Sequence, residues 1–377
     1  MEVYLWTALA VAIFSALATN QFKKQTTEHP SITARNYNHN LTAYFIFVFI
    51  CALILVCVAG LRHNVGADYG GYYWRYPQWS EQFEERLKKW DEPGLSLIAR
   101  FLHNFSSDGA VFIFTQSAII ISLYTFTYAK NTDNFFFCIL LYIFCGCWAG
   151  SFNAVRQYLA GAVLFCGHRL MYERKFFKFC LMVFAASAFH ITALVMLPMY
   201  FIVSKNLSFK KILFIIVFGI VIVYSYDILF DLIGVIKDED TGGELSAYAT
   251  NSINPLRIAI AFCPVLMYFV LKILKTDFGS EENFYISLII INAALIFGTK
   301  DSAYLNRITI YFSPFIPLAI NHLTKKFNKE YRTLLLILII TLYAILWYNT
   351  SVRGETWAWI FERTEPFYNK YGGGMPQ

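Results

Sequence analysis

Arg62, Arg156 and Arg307 stand at the ends of apolar runs in a chain that carries few charges. A guanidinium fork matches the oxygens of a phosphate. Three such groups brought together from separate helices can hold a diphosphate. Each alone also reads as an anchor that snorkels to the membrane edge. His190, in the apolar run AASAFHITAL, titrates near neutrality and can take a proton from a hydroxyl. It equally reads as a satisfied core histidine. Asp68 follows a glycine-containing turn and is open to three roles: base, arginine partner or turn former.

These residues belong to four polar clusters. The first is RHNVGADYGGYYWRYPQW, residues 62–79, where Tyr69, Tyr72 and Trp74 sit among polar side chains and glycines. Rings of this kind stack on sugar faces, and the polar groups take hydroxyls; a membrane-interface belt also collects Trp and Tyr. The second runs from Ser151 to Tyr158 and places Asn153 and Arg156 three residues apart, neighbours on a helix. Gln157 follows. The third is His190 with Thr192, and the fourth is Lys300, Asp301, Asn306 and Arg307. No P-loop, nucleophile elbow or zinc motif is present. The acidic run around Asp238 and Asp240 reads as solvated. All eight cysteines lie in apolar runs, without a CxxC pair, and read as packing residues. No metal and no cofactor is expected, and no nucleic-acid partner.

The elements that must position these groups are membrane helices. The chain has 377 residues, 57% hydrophobic and 15% charged, against about 25% charged in an ordinary soluble domain. Apolar runs near helix-spanning length recur from end to end, which predicts an all-α polytopic membrane protein of about 11–12 transmembrane helices. The expected spans are 1–19, 41–61, 109–129, 134–152, 156–172, 176–204, 211–230, 255–272, 284–299, 307–323 and 332–350. The first run lacks a basic start and reads as a retained helix with its N-terminus outside. The expected organisation is one polytopic domain over 1–350, with an external loop at 62–108 and an external tail at 351–377.

The distribution of Lys and Arg decides the topology of 176–204. If that segment crosses once, every later basic loop inverts. If it folds as two half-helices meeting near His190, Lys205, Lys210, Lys211, Lys272, Lys275, Lys325, Lys326 and Lys329 all return to the inside. A broken pair is therefore expected, with His190 toward the outer side. The acidic stretch 237–244 then falls outside. In the external loop, charges fill the stretch from Glu81 to Trp90, which reads as a solvated surface helix, and Pro93 should split it from the apolar half that follows.

The order Arg62-x-x-x-Gly66-x-Asp68-Tyr69-x-x-Tyr72, then Ser151-Phe-Asn-Ala-Val-Arg156-Gln157-x-Leu-Ala160, then Phe189-His190 and Pro198, resembles the EpsG family of bacterial polysaccharide polymerases. Arg307 and Tyr311 fit as well. The resemblance covers roughly residues 40–320. One departure is Ala67, where a small hydroxyl residue is expected.

The resemblance implies a Wzy-like polymerase of O-antigen, capsule or exopolysaccharide, multi-pass in the bacterial cytoplasmic (inner) membrane. Its substrates would be undecaprenyl-diphosphate-linked oligosaccharides, with a chain-length regulator and a flippase as candidate neighbours. Under that reading Arg62, Arg156 and Arg307 hold the diphosphate, and His190 or Asp68 is the base. Tyr69, Tyr72, Trp74, Asn153 and Gln157 then meet sugar. An O-antigen ligase shares the donor and differs only in acceptor, and a lipid-linked oligosaccharide flippase is the competing transporter class.

Overall fold

The computed structural model describes residues 1–28, 41–221 and 252–362. Among them the chain is built of helices, and residues 62 and 359 form an isolated β-bridge. The acidic stretch 237–244, the end of the expected span 211–230 and the last residues of the tail lie outside the described residues. The chain divides into two compact units. The first comprises 1–167, 181–193 and 347–377; the second comprises 168–180 and 194–346.

In the first unit, α1 (Glu2–Glu28) and α2 (Thr42–Gly60) pack along each other. On α2, Ile46, Phe49 and Leu53 are exposed, while Val48, Cys51, Ala52, Leu55 and Ala59 are buried. Spacing of three and four residues thus yields one face for lipid and one for protein. On α1, Trp6, Leu9 and Ile13 are exposed, and Val11, Ser15 and Ala18 are buried. Small residues on the packed faces let the backbones approach, the usual solution where lipid removes the hydrophobic drive between helices.

The 62–108 loop carries α3 (Tyr69–Glu81), α4 (Phe83–Lys88) and α5 (Pro93–His103). The aromatic cluster expected as loop is therefore helical from Tyr69 onward. The split at Pro93 is as expected: the proline occupies the first turn of α5, where its missing N–H costs nothing. From this loop α6 (Gly109–Asn131) starts, capped by the Asp108 carboxylate, which accepts from the Ala110 N–H at 3.0 Å.

The expected span 134–152 is shorter in the structure. Helix α7 (Phe135–Phe144) has ten residues, nine of them buried. At 1.5 Å per residue that is about 15 Å, half of a hydrocarbon core of about 30 Å. Gly146, with φ +78°, turns the chain into the four-residue α8 (Cys147–Gly150). Helix α9 (Val155–Cys166) follows. Non-helical backbone at this depth is tolerated because protein buries it; Trp148, Phe152 and Val155 are all buried.

The 176–204 segment is interrupted, as expected. After α10 (His168–Tyr172), helix α11 (Phe176–Ser187) ends before His190, a 3-10 turn covers Ile191–Val195, and α12 is Met196–Ile202. The second unit is completed by long helices at Pro255–Ile273, Ser280–Gly298 and Lys329–Trp347. The expected span 307–323 is assembled from 3-10 turns at Leu305–Tyr311 and Ser313–Phe315 and the helix Ile316–Thr324. Six helices among the described residues are long and apolar enough to cross a membrane, with shorter apolar helices beside them in sequence. The protein is an all-α, multi-pass membrane protein.

Candidate active site

Arg62 is the first residue to account for. Its side chain is buried, with 2% of the residue exposed. Nε donates to the Val65 carbonyl at 3.1 Å and Nη2 to the Phe152 carbonyl at 3.4 Å, while Nη1 donates to Ser117 Oγ at 3.1 Å and to the Ala59 carbonyl. The guanidinium also lies 4.7 Å from the Phe152 ring centroid. An arginine so enclosed presents no free fork to a diphosphate. Its position fits a tie between the end of α2 and the turn before α9.

Gly66 makes the second tie. Its φ is +96°, and a Cβ there would stand 2.9 Å from the Phe152 carbonyl oxygen. Only glycine fits that conformation and that distance together. The close approach lets the Ala67 N–H donate to Asn153 Oδ1. The expected hydroxyl at 67 is therefore not needed for this contact, because the backbone supplies the donor. The amide oxygen of Asn153, expected to face sugar, takes this backbone hydrogen bond instead.

Together these ties set the start of α9. Arg156 lies in its first turn, where backbone N–H groups lack helical partners. Its N–H donates to the Tyr72 hydroxyl at 3.4 Å. Its side chain, 42% exposed, places Nη1 2.7 Å from Glu92 Oε2. The Tyr72 hydroxyl is the other group the side chain meets, and the exposed part of the guanidinium remains accessible to an anion.

Glu92 joins the parts. It lies between α4 and α5 with its side chain 6% exposed, and its second oxygen, Oε1, is 2.9 Å from His190 Nδ1. Arg86 Nη2 lies 3.6 Å from Oε2. Burial alone would raise the Glu92 carboxyl. The Arg156 charge and the His190 hydrogen bond outweigh it and hold the group down, from 4.5 to about 2. The carboxylate is thus ionised and buried, with both oxygens engaged. Gln157, buried, donates from Nε2 to Thr192 Oγ1 at 3.5 Å and links α9 to the same turn as His190.

Of the residues expected to act, the structure brings Arg156, His190, Gln157 and Tyr72 to one place. Tyr69 and Tyr72 are buried and serve as packing and hydrogen-bonding groups, which removes their ring faces from sugar; Trp74 keeps 42% of its surface exposed. Asp68 precedes α3 as its N-terminal residue and makes no side-chain capping bond. Arg307 belongs to the second unit, exposed, with its guanidinium 5.5 Å from the Tyr304 ring centroid.

Sequence reasoning missed Glu92, whose neighbours had been read as a solvated helix. The signal was the order Trp90-Asp91-Glu92-Pro93-Gly94: an acidic residue whose backbone a following proline restricts, at a break between two helices.

No curated relative and no solved structure matches the chain. The EpsG family model matches residues 45–361, a stretch that includes Arg62, Gly66, Glu92, Arg156, His190 and Arg307. With most of its length and every element of this cluster inside that match, the chain belongs to the EpsG family.

Proposed function

We propose that the protein is a polysaccharide polymerase that joins undecaprenyl-diphosphate-linked repeat units on the outer face of the cytoplasmic membrane. The observation that carries this reading is a single buried carboxylate, Glu92, contacting a half-buried arginine at 2.7 Å and a histidine at 2.9 Å. In the reaction, the acceptor's sugar hydroxyl gives its proton to His190 Nε2. Its oxygen attacks the donor's anomeric carbon. The bond from that carbon to the diphosphate oxygen breaks, and the electron pair leaves with the lipid diphosphate.

Diphosphate is a good leaving group, and what it needs is charge stabilisation, which the exposed part of the Arg156 guanidinium supplies. Arg307 is the second candidate for that charge. The exposed ring of Trp74 is the candidate sugar platform. Asp68 remains the alternative base. An O-antigen ligase would use the same donor chemistry, and a flippase, which would want a central cationic cavity, would need no base.

The test is turnover by purified protein of lipid-linked repeat units. Wild type should yield a ladder, and His190→Gln should lose about 10²–10⁴-fold in rate while still binding donor. A deletion strain should collapse its polymer ladder to one repeat unit. Loss of even that single unit would instead indicate a flippase or ligase.

A further inference from the structure

Glu92 does more in this arrangement than neutralise an arginine. We propose that it is the positioning residue of the site, holding His190 as the tautomer protonated at Nδ1 and Arg156 beside it. The inference rests on the polymerase reading for its purpose, but the geometry that carries it is independent of substrate.

The two carboxylate oxygens are divided between the two partners. Oε1 faces His190 Nδ1 at 2.9 Å, and Oε2 faces Arg156 Nη1 at 2.7 Å. An ionised carboxylate only accepts, so the proton of a neutral His190 sits on Nδ1 and the lone pair is left on Nε2. A general base needs that lone pair.

The backbone around Glu92 is built to aim it. Trp90 and Glu92 both adopt left-handed conformations, at φ 50° and 52°, which are unfavourable for residues with a Cβ. Neighbouring contacts hold them there. The Trp90 ring stacks on Phe184 with centroids 4.4 Å apart, and its Nε1 donates to Ser187 Oγ at 3.2 Å. The Gly94 N–H donates to the Ala188 carbonyl at 2.8 Å. Residues 90–94 of the external loop are thus bolted to the helix end that precedes His190. Strain held by surrounding contacts around a buried ionised group is the pattern of a functional position.

The charges facing this pair come from every packed element. Arg86 of α4 lies 3.6 Å from Oε2 and is itself held by Asp91 at 3.0 Å. Asp68, just before α3, and the Tyr72 hydroxyl on it act on the same region, and from α9 comes Arg156. The ionised Glu92 carboxylate stands between these arginines and His190; remove its charge, and Arg156 and Arg86 face the imidazole unopposed.

The experiment follows His190 directly. The protein is purified in full with its histidines labelled with ¹³C and ring ¹⁵N, and the His190 signals are assigned by their loss in His190→Gln. Its titration is then recorded in wild type, Glu92→Gln and Glu92→Asp. An opposite charge at this range shifts a pKa by about 1–3 units, so Glu92→Gln should lower the His190 midpoint by that amount. Glu92→Asp should restore most of it. The pH–rate profile of polymerisation should move in parallel.

An unchanged midpoint in Glu92→Gln overturns the inference, as does a wild-type His190 whose neutral form carries its proton on Nε2. Neither readout needs activity. If wild-type protein forms no polymer while the midpoint shifts, the polymerase reading fails and the positioning role stands. If Glu92→Gln does not fold, Glu92→Asp and the wild-type tautomer decide.

Discussion

Arg174 donates from Nη2 to the Val203 carbonyl at 2.6 Å, across twenty-nine residues of chain. Nη1 of the same side chain donates to the Tyr200 carbonyl, and its guanidinium lies 5.4 Å from the Tyr200 ring centroid. Phe179 adds a ring contact to Tyr200 at 5.6 Å. The two ends of the broken segment therefore meet. A segment whose ends meet returns to the face it left, and the arginine satisfies carbonyls at the end of α12 that no helical N–H reaches. This geometry agrees with the basic-loop asymmetry that favoured a broken pair over one long span.

With native cysteines replaced, a single cysteine at Ser80 should react from outside with a membrane-impermeant thiol reagent, and one at Ser208 should not. External labelling at Ser208 would mean that the 174–203 hairpin crosses the membrane after all. The other position expected to label from outside, Ser246, lies outside the described residues.

Arg62 and Arg156 should separate in a variant series. Arg62→Lys leaves acceptors that a single ammonium cannot all reach, and each buried polar group left unpaired costs about 1–3 kcal/mol. It should lower the melting temperature and the yield of inserted protein. Arg156→Ala should insert normally and make no polymer, and Arg156→Lys should rescue poorly because the planar guanidinium fork is lost. Arg307→Ala should likewise remain inserted and lose polymer. Thermal melts in detergent beside polymer ladders measure both halves; wild-type ladders from Arg156→Lys would make that residue an anchor.

Gly66→Ala places a Cβ 2.9 Å from the Phe152 carbonyl at a φ of +96°. The left-handed conformation alone costs about 1–2 kcal/mol, and the close contact adds to it. The loop must then withdraw from the turn that positions Arg156. Both stability and polymerisation should fall, while Gly71→Ala, where a Cβ meets nothing within 4 Å, should change neither. Equal behaviour of the two alanine variants would remove Gly66 from the positioning scheme.

Acid should loosen the external loop over a defined range. The Glu92 carboxyl is depressed from 4.5 to about 2 in the folded protein, so its contribution is fully present above the unfolded value. That contribution is lost as pH falls through the folded value. Between those limits the unfolded state binds more protons, and stability declines. Glu92→Gln should be less stable at neutral pH and should flatten that part of the curve, read by thermal melting between pH 5 and pH 2. Parallel curves for the two proteins would show that Glu92 is not held in its ionised form by the fold.

The amino-acid sequence by itself determined the class of the protein. Long apolar runs with few charges permit only membrane helices, and three- and four-residue spacing divides α2 into lipid and protein faces. The break at Pro93 and the interruption at His190 were also legible, because a proline and a charge imbalance act locally or by counting. The tertiary structure decided which arginine is which. Arg62 and Arg156 are the same residue type at similar positions in sequence, yet four acceptors enclose one and the other keeps part of its side chain exposed. Burial depends on what the rest of the chain places nearby, and α7, buried on all sides at half a membrane's length, shows the same dependence. Glu92 meets Arg156 across 64 residues and His190 across 98. Periodicity reports neighbours a turn or two away, not pairs at that separation, so only the folded chain could turn an acidic residue in a charged loop into the centre of the site.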